Sequence, residues 1–271
     1  MWQCRIAPSL GGGFVGTPND VWGTVDYKNQ DNPAVFFGLY GIKDFMVLHA
    51  HKGRRAILWA GSDIRHFIAG YWLDEKGDTR VSPRPFAKWI IDNCESYVEN
   101  IIEYEALKKL GIESKIVPSF LGNIDDYDLI YKWNEKPKVY TSVSGDNFKL
   151  YGWYYLPRLA VSNPDVEFHL YGNTKEFPCE KNMFLHGRVP QEQMNKEIKE
   201  MQGALRLTEF DGFSEILAKS ILWGQHPISI IPYTYMLSIQ DLETLKNMYE
   251  PNVWGREYYR KNLNQYPWNI K

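Results

Sequence analysis

The sequence predicts an α/β protein of two domains, each a parallel sheet covered by helices on both faces, the two facing each other across a cleft. Three observations carry that expectation. Apolar runs of strand length alternate with segments of helix length along most of the 271 residues. The rhythm breaks once, at the polar, proline-containing residues 135–138, and then starts afresh. Turns rich in glycine and aspartate follow several of the strand-like runs, which is where parallel sheets of this kind bind ligands.

In order along the chain, residues 2–7 form a short apolar run that leads into a glycine-rich loop, Gly11-Gly12-Gly13-Phe14-Val15-Gly16-Thr17. Residues 33–38 and 55–60 read as buried strands flanking a short helix at 43–51, and the second strand ends at Gly61-Ser62-Asp63. A strand at 95–98, a helix over about 101–110 stopped by Gly111, and a strand at 115–117 closed by Pro118 continue the alternation. Residues 1–136 are therefore expected as an N-terminal domain. The second domain, 137–249, is expected to contain strands at 139–143, 166–170, 183–185 and 228–231, with helices near 150–160 and 191–201. Residues 250–271, dense in Trp and Tyr, read as a helix and arm packing back on the first domain.

Composition narrows the function classes. Apolar content of 44% with 24% charged residues belongs to a globular chain rather than a disordered one. A formal net charge of −2 supplies no basic field for nucleic acid or an anionic membrane. Any phosphate-bearing ligand must then be held by a few local groups. Cys4, Cys94 and Cys179 are scattered and show no zinc or redox spacing, which fits a reducing cytoplasm. No apolar run approaches the roughly 18 residues that span a bilayer, so no transmembrane segment is expected. The ten Trp and eighteen Tyr are read as core fillers first and as sugar-stacking surfaces second.

The most informative stretch is Leu205-Arg206-Leu207-Thr208-Glu209-Phe210-Asp211-Gly212-Phe213-Ser214, running into Glu215 and a helix that ends at Gly224. It reads as a strand, a tight turn and a helix start. Asp211 is a suitable N-cap, Gly212 allows a ligand close to the backbone, and the first amides of the helix suit an anion.

With Gly224 and Pro227 behind it, this stretch resembles the C-terminal nucleotide-binding motif of GT-B glycosyltransferases, especially the retaining family 4 type. Val143-Ser144-Gly145-Asp146 with Lys149 is similar to that family's loop after the first strand, which meets the donor diphosphate. Residues 163–172 resemble its next strand and glycine turn. Phe184 to Val189, with Arg188, resembles the strand beside which the base lies. In the first domain, Gly61-Ser62-Asp63 is similar to the family's Gly-Ser-Asp turn and Gly11-Gly12-Gly13 to its N-terminal loop.

The resemblance implies two Rossmann-like domains and transfer of a sugar, with retention, from a nucleotide diphosphate sugar to a hydroxyl of a glycan or lipid-linked acceptor. Because charge develops on the departing diphosphate, catalysis would rest on stabilising it. Lys149 and the amides of Phe213 and Ser214 are the candidates, with Asp211 touching the sugar or holding the turn. Donor-binding residues would be Ser144, Gly145, Lys149, Arg188, Thr208, Gly212, Phe213, Ser214, Glu215 and Lys219. Gly11, Gly12, Gly13, Ser62 and Asp63 would line the cleft from the first domain. No metal and no organic cofactor is implied, since the nucleotide sugar is a co-substrate.

Two positions depart from the pattern. The family's second acid falls at Lys219, with Glu215 one turn earlier as a substitute, and its first-domain His falls at Ala60. Other readings stay open: Asp211 as a plain N-cap, Glu215 and Lys219 as an i,i+4 ion pair, and a non-catalytic nucleotide- or carbohydrate-binding protein on the same scaffold. Gly11-x-Gly13-x-x-Gly16 formally fits a dinucleotide fingerprint but lacks a following helical stripe. Asp125, Asp126 and Asp128 read as solvated loop charge before a cation site. Peripheral contact with a membrane that carries a lipid-linked acceptor is left open, although no basic amphipathic stretch argues for it.

Overall fold

The computed structural model describes residues 1–10, 17–72, 79–172 and 176–270. The chain forms two compact units: Met1–Asn123 with Phe210–Phe213 and Asn262–Lys271, and Ile124–Glu209 with Ser214–Lys261. The sequence reading divides the chain at residue 136; the compact units divide at Asn123.

In chain order the first unit contains β1 (Gln3–Ile6), α1 (Pro18–Trp22), β2 (Val25–Asp26), β3 (Ala34–Phe37), α2 (Ile42–Ala50), β4 (Arg55–Leu58) and α3 (Ser62–Ala69). It continues with β5 (Tyr71–Trp72), β6 (Arg80–Val81), α4 (Pro83–Asn93), β7 (Glu95–Val98), α5 (Ile101–Lys108) and β8 (Lys115–Ile116). Six strands make a wholly parallel sheet in the order β2-β1-β3-β4-β7-β8, while β5 and β6 pair separately as an antiparallel ribbon. The β3 run Ala-Val-Phe-Phe is apolar throughout because both faces of its sheet are covered. Period-two alternation sends Ala34, Phe36, Ile57 and Trp59 into one core, and Val35, Phe37, Ala56 and Leu58 into the other. The C-terminal residues Tyr266 and Trp268 complete the second core, their rings stacked at 4.5 Å. Trp22, Trp59, Trp153 and Trp268 are fully buried, as core fillers should be.

The second unit contains β9 (Lys138–Ser142), α6 (Leu156–Ser162), β10 (Glu167–Tyr171), β11 (Met183–Gly187), α7 (Gln191–Ile198), β12 (Gly203–Arg206), α8 (Glu215–Leu222), β13 (Ile228–Ser229) and β14 (Leu237–Ser238), followed by α9 (Val253–Asn262). Its sheet is again parallel, in the order β11-β10-β9-β12-β13-β14. That is the doubly wound Rossmann order, and it reverses between β9 and β12. The helix expected from residue 150 starts only at Leu156. Gly152 interrupts it with φ +68°, seated so closely on Leu207 that a Cβ there would lie 2.3 Å from the Leu207 carbonyl oxygen.

Candidate functional site

In an open parallel sheet the crevice beyond the carboxyl ends of the strands, where strand order reverses, is the place for a ligand. In the second unit that place lies between the ends of β9 and β12, which pair directly. The loop after β9 carries Ser144, Gly145 and Lys149, all exposed. Its continuation is clamped across the end of β12 by the Gly152–Leu207 contact. Leu205 and Leu207 enter the apolar core, while Arg206 and Thr208 alternate with them. Arg206 is 9% exposed, and its guanidinium lies over the Tyr151 ring, 4.4 Å from the centroid. Thr208 is buried, and its Oγ1 has no hydrogen-bond partner among the described residues. Arg188 is exposed just beyond the end of β11. The sequence singles out Thr208 as a candidate and passes over Arg206 and Tyr151. The available signal is a lone charge in the otherwise apolar run Ala204-Leu205-Arg206-Leu207.

The turn at Asp211 corrects the sequence reading. The N-cap of α8 is Ser214, with extended backbone and no side-chain cap bond, rather than Asp211. Residues 210–213 belong with the first unit. The main chain of Asp211 accepts a hydrogen bond from Asn100 Nδ2 at 2.7 Å, and the Phe213 amide donates to Glu99 Oε2 at 2.8 Å. The face of Gly212 expected to admit a ligand is filled by the same carboxylate: a Cβ there would lie 2.0 Å from Glu99 Oε2. The Phe213 amide is thus engaged by an internal carboxyl group.

Glu99 is itself held by Ser119, whose amide donates to Oε1 at 3.1 Å and whose hydroxyl bonds the same oxygen. Glu103 Oε2 accepts the Glu99 amide at 2.7 Å, and Glu103 Oε1 has no partner among the described residues. Burial first, opposed by these hydrogen bonds, pushes the Glu99 carboxyl up to about 8. Burial and then the Glu99 charge raise Glu103 well above the carboxylate range. Asp63 is fully buried and accepts the amides of Leu39 at 2.8 Å and Ala60 at 3.0 Å, and burial raises it to about 7. Its neighbour Ser62 pairs through Oγ with the Tyr40 hydroxyl at 2.8 Å. Gly11, Gly12 and Gly13 lie outside the described residues.

No protein-family model matches the sequence, and no curated protein matches it. Among solved structures the chain is similar to sucrose-phosphate synthase from Thermosynechococcus elongatus, with TM-score 0.57, 12% identity, and coverage of 90% of this chain and 71% of that one. It is also similar to a mutant of TarM from S. aureus in complex with fondaparinux, α-GlcNAc-glycerol and UDP, with TM-score 0.55, 13% identity and coverage of 86% and 52%. A third similar structure is the pneumococcal O-GlcNAc transferase GtfA in complex with UDP and GlcNAc, with TM-score 0.50, 14% identity and coverage of 85% and 54%. The fold is that of the GT-B glycosyltransferases. The chain spans about half the length of TarM and of GtfA.

Within this GT-B fold the departure at residue 219 has a plain structural account. Lys219, with only 5% of its side chain exposed, pairs with Glu215 one turn earlier and donates to Asn195 Oδ1 at 3.4 Å. Glu215 is therefore tied to Lys219 on α8. Asp125 pairs with Arg260 at 2.8 Å, and among the described residues no group of three or more His, Cys, Asp or Glu is placed to hold a metal ion. No described helix is long and apolar enough to cross a membrane.

Proposed function

We propose that the chain binds a nucleotide diphosphate sugar at the β9–β12 switch point and transfers the sugar, with retention, to a hydroxyl of a glycan or lipid-linked acceptor in the cytoplasm. The observation that carries this reading is the order of the second sheet, which reverses between β9 and β12, so that the loop bearing Ser144 and Lys149 and the stretch bearing Thr208 both leave adjacent strand ends. The shared fold supports it, and two of the similar structures are complexes with UDP.

In this reading the barrier is the separation of charge between an oxocarbenium-like sugar and the leaving diphosphate. Groups already aimed at the diphosphate lower it with no reorganisation during the reaction. Lys149 supplies mobile positive charge, and Ser144 and Thr208 supply hydroxyl donors. The amides of the first turn of α8, which carry no side-chain cap bond from Ser214, add the positive end of the helix dipole. Asp211 holds the turn through its carbonyl on Asn100. No metal or organic cofactor takes part.

A second reading, binding without turnover, is favoured by one observation. Lys219, paired with Glu215, stands where the resemblance puts the acid that grips the ribose hydroxyls. A thermal-shift panel of UDP, GDP, ADP and CMP followed by a donor-hydrolysis assay separates the two. Nucleotide binding with donor turnover supports transfer, and binding with no turnover on any acceptor supports the second reading. Absence of any nucleotide binding removes both.

A further inference from the structure

We propose that Arg206 is the fixed cation that grips the pyrophosphate of the nucleotide at this switch point, with the Tyr151 ring aiming its guanidinium and the Thr208 hydroxyl as a second donor. The proposal rests on the site described under the proposed function.

Three observations converge on it. Arg206 is the last residue of β12, so its side chain sits at the carboxyl edge of the sheet where the strand order reverses. Its guanidinium is buried against Tyr151 at 4.4 Å, and a ring under the guanidinium fixes its plane. Thr208, two residues on and 3% exposed, holds a hydroxyl with no partner among the described residues, in a place where a ligand oxygen would give it one. The Gly152–Leu207 contact locks the Tyr151 turn onto this same stretch, so the three side chains are preset rather than assembled on binding.

The choice of residue follows from chemistry. A guanidinium is weakly hydrated, always charged and forked to match two phosphate oxygens, which is why it tolerates burial better than an ammonium. Lys149 is exposed, where water screens its charge. The amide of Phe213, which a turn-to-helix motif would ordinarily offer to an anion, donates to Glu99. The fixed charge for a pyrophosphate is thereby left to a buried side chain.

Isothermal titration of the full chain tests this with inorganic pyrophosphate, the four nucleoside diphosphates UDP, GDP, ADP and CDP, and the matching nucleosides. Arg206→Lys keeps the charge but loses the fork and the stacking plane, and is expected to weaken pyrophosphate and nucleoside diphosphate alike by about 10- to 100-fold, leaving nucleoside binding unchanged. Thr208→Val, nearly isosteric, is expected to weaken the same ligands several-fold. It keeps the test decisive should the arginine variant fail to fold, which circular dichroism reports. Wild-type affinity in both variants overturns the role of Arg206 and leaves the proposed function standing. Pyrophosphate binding that depends on Arg206, with no nucleotide bound, supports the anion grip and overturns the nucleotide-sugar reading. No binding of either by the wild-type chain overturns both.

Discussion

The amide of Phe213 donates to the carboxylate of Glu99 at 2.8 Å, across 114 residues of sequence. This bond decides what the Asp211–Ser214 turn can do, because it places an internal carboxyl group on a main-chain donor that the sequence assigns to a ligand. It also sets the path by which residues 210–213 belong with the first unit.

A Glu99→Gln variant tests that relationship. The amide side chain has one acceptor oxygen where the carboxyl has two, so its NH2 must face either Ser119 or the Phe213 amide. The expected loss is about 1–3 kcal/mol of stability from an unsatisfied buried donor. The pH dependence follows from the sign of the shift. The folded state keeps the Glu99 proton up to about 8, against an ordinary 4.5. Its stabilising contribution is therefore complete below about 4.5 and is lost as pH rises through 8. The slope is up to about 1.4 kcal/mol per pH unit for one proton. Thermal midpoints between pH 5 and 8 should fall less in Glu99→Gln than in the wild type, so that the gap narrows with rising pH. A gap that stays constant would show that Glu99 does not titrate in this window.

Gly152 and Gly212 are expected to refuse a methyl group for different reasons. At Gly152 the new carbon would meet the backbone oxygen of Leu207 at 2.3 Å with φ at +68°, and neither can move cheaply. At Gly212 it would meet only the far end of the Glu99 side chain, at 2.0 Å. Gly152→Ala should cost about 2–4 kcal/mol and Gly212→Ala about 1–3. Urea denaturation gives the order, and the reverse order would contradict the geometry at both turns.

The alternation that predicts the fold is legible because strands buried on both faces are continuous apolar runs, as in Ala34 to Phe37 or Ala56 to Leu58. Helices α3 and α4 are hidden in the sequence for local reasons. The first is only eight residues long and begins directly behind Gly61; the second opens with Pro83 and Pro85. The switch point in the second unit is half legible, through Lys149 and Thr208. Arg206 looks like an interruption of a strand. The N-cap of α8 is ambiguous because Asp and Ser cap equally well by local rules. The choice is made by Glu99, and no local pattern reports a partner so distant. Nothing in the local sequence marks Glu99, just ahead of the Asn100 N-cap of α5, or Glu103 as buried acids.

Lys149→Ala should leave the thermal midpoint unchanged, since the side chain is exposed on a loop. Nucleoside diphosphate affinity should fall by about 3- to 10-fold, less than for Arg206→Lys, because an exposed ammonium is screened. Titration of the variant decides it, and unchanged affinity would remove Lys149 from the site.

Lys219→Glu restores the acid of the family pattern and is nevertheless expected to harm the protein. The lysine is buried and paired with Glu215, so the substitution sets two carboxylates one helical turn apart in a poorly hydrated place. A loss of about 2–4 kcal/mol follows from an unpaired buried charge facing a like charge. The double variant Glu215→Lys with Lys219→Glu should recover part of it. Failure of that reversal to recover any stability would mean that the pair matters through packing of the lysine stem rather than through charge.

The second unit should respond to pH with the opposite sign to Glu99. His169 Nδ1 lies 2.8 Å from His186 Nε2, and His186 Nδ1 lies 3.4 Å from Glu197 Oε2. Either ring can be the donor of the bond between them, and burial holds both towards the neutral form. Burial first, then the charge of His186, lowers His169 to about 4, while the unfolded chain takes up this proton near 6.5. The unfolded state then binds more protons between those values, so stability is present above about 6.5 and is lost as pH falls towards 4. His169→Phe keeps the stacking with Phe184 and removes the titration. Denaturant midpoints of the wild type should drop between pH 6.5 and about 4.5, and those of the variant should drop less. An equal drop in both would place the acid sensitivity in the other lowered histidines, His51, His66, His186 and His226.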